Sequence, residues 1–231
     1  MSKTLKVMEG RALVVGSVHS QGSLRRALAL RPGSVDVLEL RVDHFAQEPA
    51  ELLRVLPKLK FPLLLTVRHP LEGGAQALTF ARRRALFVEF LPHAAFIDVE
   101  LRSVEKLDDV MALALAQSVK VIVSNHHFRC TPKLERLESL LAQAVAAGAD
   151  IFKLAALASS AADVGALLGL LARPRKIPLS VMGMGSFGKV SRLLLAKAGS
   201  VLNYGYLDKP NASGQWEATL LKTRIAELAE D

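Results

Sequence analysis

Residues 119–155, VKVIVSNHHFRCTPKLERLESLLAQAVAAGADIFKLA, contain two apolar runs separated by one stretch with a helical pattern. The runs at 119–125 and 150–155 have the length of strands, and they are nearly continuous, as in parallel strands buried on both faces. Apolar residues recur at helical spacing in the stretch between them, 132–147. This order of strand, helix and strand predicts a βαβ unit and therefore a parallel sheet.

The same alternation continues on both sides of this unit. Six further strands are predicted at 12–18, 35–41, 62–68, 95–101, 177–183 and 201–206. Further helical patterns cover 49–59, 75–90, 104–117, 162–172, 190–198 and 216–229. Eight strands, each followed by a helix or a helix-compatible segment, match the count and size of an α/β fold, the (β/α)8 TIM barrel. An open, doubly wound sheet of six or seven strands is the alternative.

The composition excludes several other classes of protein. Of the 231 residues 51% are apolar and 23% are charged, which supports a buried core and argues against disorder. One cysteine cannot form an internal disulfide, no apolar run reaches the length of a membrane span, and residues 1–10 lack the apolar part of a signal peptide. No linker divides the chain. We therefore expect one domain over 1–231, in the cytoplasm and away from membranes.

The net charge of +8 raises the question of nucleic acid binding. Lysines and arginines are scattered, however, and the densest cluster, 82–84, is predicted to be one turn of a solvated helix. Aromatic residues make up only 5% of the chain and do not interleave with basic ones, as base stacking requires. Attraction of a small anionic substrate explains the charge equally well, so no nucleic acid partner is predicted.

Polar and ionisable residues occupy the carboxyl ends of the predicted strands, where a barrel carries its active site. Ionisable groups in otherwise buried runs are costly unless they are paired or functional. The residues at these ends are Ser17, Glu39, Arg41, Asp43, Arg68, Asp98, Glu100, 124–127, Lys153, 182–185 and Tyr204. Together they predict a charged, oxygen-rich pocket with one lysine and one or two histidines at its centre.

Lys153 is the one amine in the buried-type run of the sixth strand. An isolated lysine at such a position more often reaches solvent or pairs with a carboxylate than reacts. In an apolar, cationic pocket it would instead be a neutral amine that attacks a carbonyl. His126 and His127 end the neighbouring strand, and beside such a lysine a histidine general base is favoured. Metal binding is not predicted, because the six histidines are dispersed and Cys130 is alone.

Residues 183–188, GMGSFG, match the glycine pattern of a dinucleotide-binding turn, and Asp208 follows about 20 residues later. The match lies in the seventh βα unit, which leaves too little chain downstream for a dinucleotide-binding half-domain. We therefore predict no nucleotide cofactor. An anion site at the start of a helix and a tight turn without a ligand are both compatible with these glycines.

Taken in order, these segments resemble type I 3-dehydroquinate dehydratase, the Schiff-base enzyme of the shikimate pathway. The resemblance extends from Ser17 to Gln215, and it rests on the order and spacing of motifs that are weak one by one. The motifs are ELRVD (39–43), TVR (66–68), EGG (72–74), IDVE (97–100), SNHHF (124–128), TP (131–132), GADIFK (148–153), MG (182–183), SR (191–192), GS (199–200) and ASGQ (212–215).

The resemblance implies a mechanism and a set of site residues for dehydration of 3-dehydroquinate. Lys153 would form the imine, and His126 would be the general acid–base, oriented by Glu72 and supported by Asp98. The residues implied in substrate binding or in lining the pocket are Ser17, Glu39, Arg41, Arg68, Arg192, Tyr204, Asn211 and Gln215. The resemblance implies no metal or other cofactor, and it implies a homodimer. A class I aldolase or transaldolase, which also uses a barrel lysine, is the alternative enzyme class.

The chain departs from the family pattern near two of these residues. His127 stands where the family has aspartate, which leaves open which of the two histidines acts. Asn211 stands where a substrate-binding serine is expected, and the loop lacks the family's proline. Since loss of a proline makes a loop more flexible, we expect 208–216 to act as a lid that substrate orders.

Overall fold

Eight strands alternate with eight α-helices along residues 11–228, the part of the chain that the computed structural model describes. The strands are β1 (Leu13–Val18), β2 (Val37–Arg41), β3 (Leu63–Thr66), β4 (Phe96–Glu100), β5 (Lys120–His127), β6 (Ile151–Leu157), β7 (Leu179–Met184) and β8 (Leu202–Tyr206). The helices are α1 (Gln21–Ala29), α2 (Pro49–Val55), α3 (Phe80–Phe90), α4 (Asp108–Ala116), α5 (Leu134–Ala146), α6 (Ala161–Ala172), α7 (Gly188–Lys197) and α8 (Ala218–Glu227). The predictions for 1–10 and 229–231 lie outside the described residues.

All strand pairs are parallel, and the hydrogen-bonded order is β7-β6-β5-β4-β3-β2-β1-β8. The seam between β7 and β8 is closed largely by serine side chains. Ser180 Oγ donates to the Leu202 carbonyl at 2.6 Å, and Ser200 Oγ accepts from the Val181 N–H at 3.0 Å. The predicted single-domain (β/α)8 barrel is therefore confirmed, and the chain does not form an open, doubly wound sheet.

The strands are largely apolar in their first halves because both of their faces are buried. Successive side chains point to opposite faces, so one set fills the barrel and the other packs under the helices. The interior set includes Val15, Val37, Leu64, Phe96, Ile122 and Ile151. The next interior-facing position along most of these strands carries a polar residue, namely Ser17, Glu39, Thr66, Asp98, Ser124 and Lys153. The polar site thus forms one layer directly above the apolar interior.

The structure differs from the predicted elements mainly at their ends and at one helix. Helix α1 was not among the predicted helices, because only its residues Ser23, Leu24 and Ala27 are buried, which is too weak a pattern to detect. Ser20 caps it, accepting from the Ser23 N–H at 3.0 Å. The pattern predicted from residue 75 forms a helix only from Phe80, since Thr79 is the N-cap.

The sequence predicted that the arginine cluster of α3 is one turn of a solvated helix, and the structure shows that this prediction is wrong for Arg83. Arg84 is exposed, but the side chain of Arg83 is 1% exposed and points beneath the helix. It donates to Glu100 Oε2 at 2.5 Å and to the Val67 carbonyl at 2.9 Å. No helix within 11–228 is long and apolar enough to cross a membrane.

Candidate active site

The polar strand ends meet in one open cavity of about 540 Å³ at the carboxyl end of the barrel. Ten of the twelve predicted site residues line it, and the other two, Ser17 and Asp98, lie buried behind them. The ten are Glu39, Arg41, Arg68, Glu72, His126, Lys153, Arg192, Tyr204, Asn211 and Gln215. Within 11–228 no group of three His, Cys, Asp or Glu side chains is arranged to hold a metal ion.

Lys153 lies at the centre of this cavity and is 3% exposed. Its Nζ donates to Asp98 Oδ2 at 2.8 Å, and Glu39 Oε1 is 3.7 Å away. The same Nζ lies 4.0 Å from the ring centroid of Tyr204. Two carboxylates therefore face the amine, as in the carboxylate pairing that the sequence left open and in the charged, oxygen-rich pocket that it predicted.

Asp98 is held from the other side by Arg68 and Ser124. Arg68 makes two hydrogen bonds with the Asp98 carboxylate, at 2.9 and 2.8 Å, and Ser124 Oγ donates to it at 2.5 Å. Burial opposes ionisation, but Arg68 and Lys153 outweigh it and hold the pKa of Asp98 well below its ordinary value. Arg68 Nη1 also contacts Glu100 at 3.1 Å, so both terminal nitrogens of Arg68 are bound within the protein.

Glu39 is the second carboxylate beside the amine, and hydroxyl groups orient it. Ser17 Oγ donates to Glu39 Oε2 at 2.8 Å, and Thr66 Oγ1 donates to Oε1 at 3.1 Å. Burial opposes its ionisation, but Lys153 and then Arg41 lower the pKa of Glu39 overall. Glu39 is therefore an anion at neutral pH. Arg41 is itself fixed by two hydrogen bonds to Asp43, at 2.9 and 2.8 Å.

His126 lies on β5 and faces the cavity. It stands two positions beyond Ser124, and Ser124 is the residue of β5 that lies opposite Lys153 of β6. His126 Nδ1 lies 2.8 Å from Glu72 Oε2. Burial, together with the charges of Arg68 and Lys153, holds the pKa of His126 well below 6.5. The imidazole is therefore neutral at pH 7, and its Nε2 can accept a proton when the ring proton is on Nδ1.

His127 does not line the cavity. Neighbouring residues of a strand point to opposite faces, so His127 lies on the side of β5 away from His126. Its pKa is lowered by burial and by Arg136 of α5. Its Nε2 is buried without a hydrogen-bond partner among the described residues.

Arg192 of α7 is the cation of the cavity that lacks a carboxylate partner among residues 11–228. Its guanidinium donates to the Tyr204 carbonyl at 2.8 Å and to the Gly214 carbonyl at 3.3 Å. Burial alone lowers the pKa of Arg192 to about 10, which leaves it charged at neutral pH. A buried, uncompensated guanidinium that lines a cavity is suited to binding an anionic ligand.

The loop after β8 covers this arginine, and Gln215 shapes the loop. Gln215 Oε1 accepts from the backbone N–H groups of Asn211 at 3.0 Å and Ala212 at 3.3 Å. A Cβ on Gly188 would lie 2.6 Å from the Gly214 Cα, so two glycines allow the loop to pack on the start of α7. This contact gives one steric reason for the last glycine of the GMGSFG motif. Lid action of the loop stays a prediction.

Of the apolar and outer residues that complete the cavity, the sequence indicated Met182 and Met184, in the strand end 182–185, but not the others. The apolar lining comes from Phe128, Ala155, Met182, Met184 and Ala212. Phe128 stacks on His126, with 6.1 Å between the ring centroids. Arg102, which was not predicted either, contacts Glu72 Oε1 through its Nε at 3.0 Å. No sequence signal pairs Arg102 with Glu72.

The chain is similar in sequence to a family of known enzymes. A family model described as type I 3-dehydroquinase matches residues 14–229. A 3-dehydroquinate dehydratase of Methanocella arvoryzae is 36% identical over 203 residues, which cover 87% of this chain and 90% of that protein. A 3-dehydroquinate dehydratase of Escherichia coli is 34% identical, with coverage of 98% of this chain and 96% of that protein.

Solved structures of the same enzymes superpose closely on this fold. The type I 3-dehydroquinate dehydratase of Clostridium difficile, with covalently modified comenic acid, has a TM-score of 0.87 at 30% identity, covering 96% of this chain and 94% of that chain. The 3-dehydroquinate dehydratase of Geobacillus kaustophilus has a TM-score of 0.86 at 29% identity, covering 95% of this chain and 92% of that chain.

Proposed function

The chain belongs to the type I 3-dehydroquinase family, and we propose that this hydro-lyase dehydrates 3-dehydroquinate to 3-dehydroshikimate through an imine on Lys153. The reaction belongs to the shikimate pathway, which leads to the aromatic amino acids. The observation that carries the proposal is a buried amine ion-paired to Asp98 in a cavity that also holds a neutral histidine and an unpaired arginine.

The first step joins Lys153 to the ketone of the substrate. Its Nζ, once deprotonated, attacks the carbonyl carbon, the carbonyl oxygen leaves as water, and a protonated imine results. The imine nitrogen carries one positive charge, as the resting ammonium does. Asp98 at 2.8 Å and Glu39 at 3.7 Å can therefore remain its counter-ions, so the charge of the site does not change.

The second step is the elimination, in which His126 moves the proton. The protonated imine withdraws electrons, so His126 Nε2 can remove a proton from the neighbouring α-carbon and leave an enamine. The enamine then expels the β-hydroxyl group, which takes the same proton from His126 and leaves as water. Hydrolysis of the product imine restores Lys153. One histidine therefore suffices for an elimination in which both groups leave from the same face.

The remaining predicted residues would hold the substrate. Arg192 is matched to the substrate carboxylate, because it is charged, buried and without a carboxylate of its own. Glu39, Asn211 and Gln215 line the same cavity and would bind substrate hydroxyl groups. Arg68 is already bound to Asp98 and Glu100, so we assign it to the support of Asp98 rather than to the substrate.

Borohydride trapping tests the proposed imine. Reduction during turnover should add the mass of the reduced ligand to a peptide that contains Lys153 and should abolish activity. The Lys153→Ala variant should show no adduct and no turnover, while formation of the conjugated enone product is followed by its ultraviolet absorbance. If the products show that a carbon–carbon bond is cleaved and no water is eliminated, the alternative of an aldolase or transaldolase is favoured. An enzyme that stays unmodified and active after borohydride would contradict the imine.

Two further properties are proposed, the first from the family resemblance and the second from the composition of the sequence. We expect a homodimer, which analytical ultracentrifugation of the full chain would test. We also expect a cytoplasmic location, which fractionation of cells that produce the protein would test.

A further inference from the structure

Glu72 contacts a different charged or titratable side chain through each of its carboxylate oxygens. Oε2 lies 2.8 Å from His126 Nδ1, and Oε1 lies 3.0 Å from Arg102 Nε. Arg102 belongs to the short 3₁₀ turn Leu101–Ser103 that follows β4, and its side chain is 45% exposed, whereas that of Glu72 is 3% exposed. The arginine therefore extends from the protein surface to the buried oxygen that His126 does not use.

The charge of Glu72 decides which nitrogen of His126 carries the proton. An ionised Glu72 only accepts hydrogen bonds, so it requires the proton of a neutral His126 on Nδ1 and leaves Nε2 free. A protonated Glu72 would donate to Nδ1 instead, and the imidazole proton would then sit on Nε2. In that second state His126 cannot accept a proton from the substrate.

Glu72 is close to the balance point between these two states. Burial, the largest influence, raises the pKa of Glu72 to about 7. Positive neighbours oppose this effect and negative ones add to it, so a single contact changes the protonated fraction at neutral pH. The groups that face Glu72 are Arg68 just after β3, Asp98 and Glu100 from β4, Arg102 from the turn after it, and His126 from β5. His69, which caps the turn that carries Glu72, is neutral at pH 7, because burial and Arg83 lower its pKa.

We propose that Arg102 is a positioning residue of the reaction, which keeps Glu72 ionised and thereby holds His126 with Nε2 free to act as the base. Arg102 is not among the residues that line the cavity, so it would act only through Glu72. The inference rests on the proposed role of His126, and it adds a surface residue to that role.

The pH dependence of kcat tests this inference with Arg102→Gln. Removing the cation raises the pKa of Glu72, so the acid limb of the profile should move to higher pH by roughly half a unit to one unit, as for loss of a partly exposed charged contact. Turnover at pH 6 should fall about three- to tenfold, while turnover at pH 9 should stay near that of the unmodified enzyme. Glu72 and His126 share a proton, so the midpoint of the acid limb is an apparent pKa of the pair and not of either residue alone.

Two further variants separate this effect from a change in folding. Arg102→Lys retains the charge and should return the limb most of the way to its original position. Arg84→Gln removes an exposed arginine that pairs with Asp109 on the surface, away from the cavity, and should leave the profile unchanged. A general loss of structure would lower turnover at every pH and would not move the limb.

The outcome distinguishes this inference from the proposed function. Arg102→Gln should leave borohydride trapping at Lys153 intact, because imine formation does not need Glu72. If the limb of Arg102→Gln has the same midpoint as that of the unmodified enzyme, whether or not the rate is lower, Arg102 has no positioning role. If His126→Ala keeps full turnover, the role of His126 on which this inference rests is wrong. The proposed function fails only if borohydride traps no adduct at Lys153.

Discussion

Arg192→Gln should weaken substrate binding strongly and leave the free energy of unfolding nearly unchanged. The guanidinium is buried without a carboxylate partner in the described part of the chain, and burial lowers its pKa to about 10, so the folded enzyme gains little from its charge. A hydrogen bond between charged groups contributes about 1.5–3 kcal/mol, so loss of its contact with the substrate carboxylate should raise KM by roughly 10- to 150-fold. Glutamine retains an N–H donor for the Tyr204 carbonyl, so we expect a stability change of less than about 1 kcal/mol.

Arg83→Gln is the matched control, because Arg83 and Arg192 are both buried arginines. Arg83 is paired, however, with Nη2 donating to Glu100 at 2.5 Å and Nη1 donating to Ser103 at 3.1 Å. Removing one partner of a buried ion pair costs about 3–5 kcal/mol, because the other charge stays buried. Arg83→Gln should therefore lower stability far more than Arg192→Gln does.

Urea unfolding and steady-state kinetics on the two variants provide the comparison. The ultraviolet absorbance of the enone product gives KM, and the unfolding midpoint with an unchanged m value gives stability. The reasoning is refuted if Arg192→Gln loses several kcal/mol of stability, or if it binds substrate as well as the unmodified enzyme does.

Two other predictions concern the chain's departures from the family pattern. His126→Ala should lose several orders of magnitude in turnover and still trap an imine, whereas His127→Ala should retain most activity; the reverse result would show that His127 has taken over the catalytic role. Gln215→Glu keeps the acceptor for the Asn211 and Ala212 N–H groups but loses the amide donor and adds a negative charge. This substitution should raise KM. If 208–216 acts as a lid, substrate should still slow proteolysis of this loop in the variant. Equal cleavage with and without substrate would contradict the lid.

The fold could be predicted from the sequence because its main signal is local. Each strand is an apolar run of the right length, and the barrel follows from the count and order of these runs. Lys153 could be identified in the same way, as one amine in a buried run. Six of the ten predicted residues that line the cavity follow from parallel strands, whose carboxyl ends lie at the same end of the barrel. The other four, Glu72, Arg192, Asn211 and Gln215, lie outside the strands and were identified by the family resemblance.

The partners of the charged residues could not be predicted, because they depend on register and on how the helices pack over the strands. Arg83 lies between two other arginines, and only the orientation of α3 over β4 directs it to Glu100, 17 positions away. Arg102 reaches Glu72 across 30 positions, from the turn after β4 to the turn after β3. Such pairs leave no periodic pattern in the sequence, so composition alone suggests solvated charges.

The buried charges around the cavity explain why an anion should complete the site. A connected series of opposite charges extends from α3 to the reactive amine, and each contact in it is 3.1 Å or shorter. Its members in order are Arg83, Glu100, Arg68, Asp98 and Lys153.

Three more buried charges lie around Lys153, namely Glu39 and the ion pair of Arg41 with Asp43. Glu72 is paired from the surface by Arg102. Among residues 11–228 and apart from Glu72, the buried arginines and lysine number five and the buried carboxylates four, and the buried cation without a carboxylate contact in this range is Arg192. A substrate that brings one carboxylate therefore balances the charge of the cavity, and one that lacks it leaves Arg192 buried and unpaired.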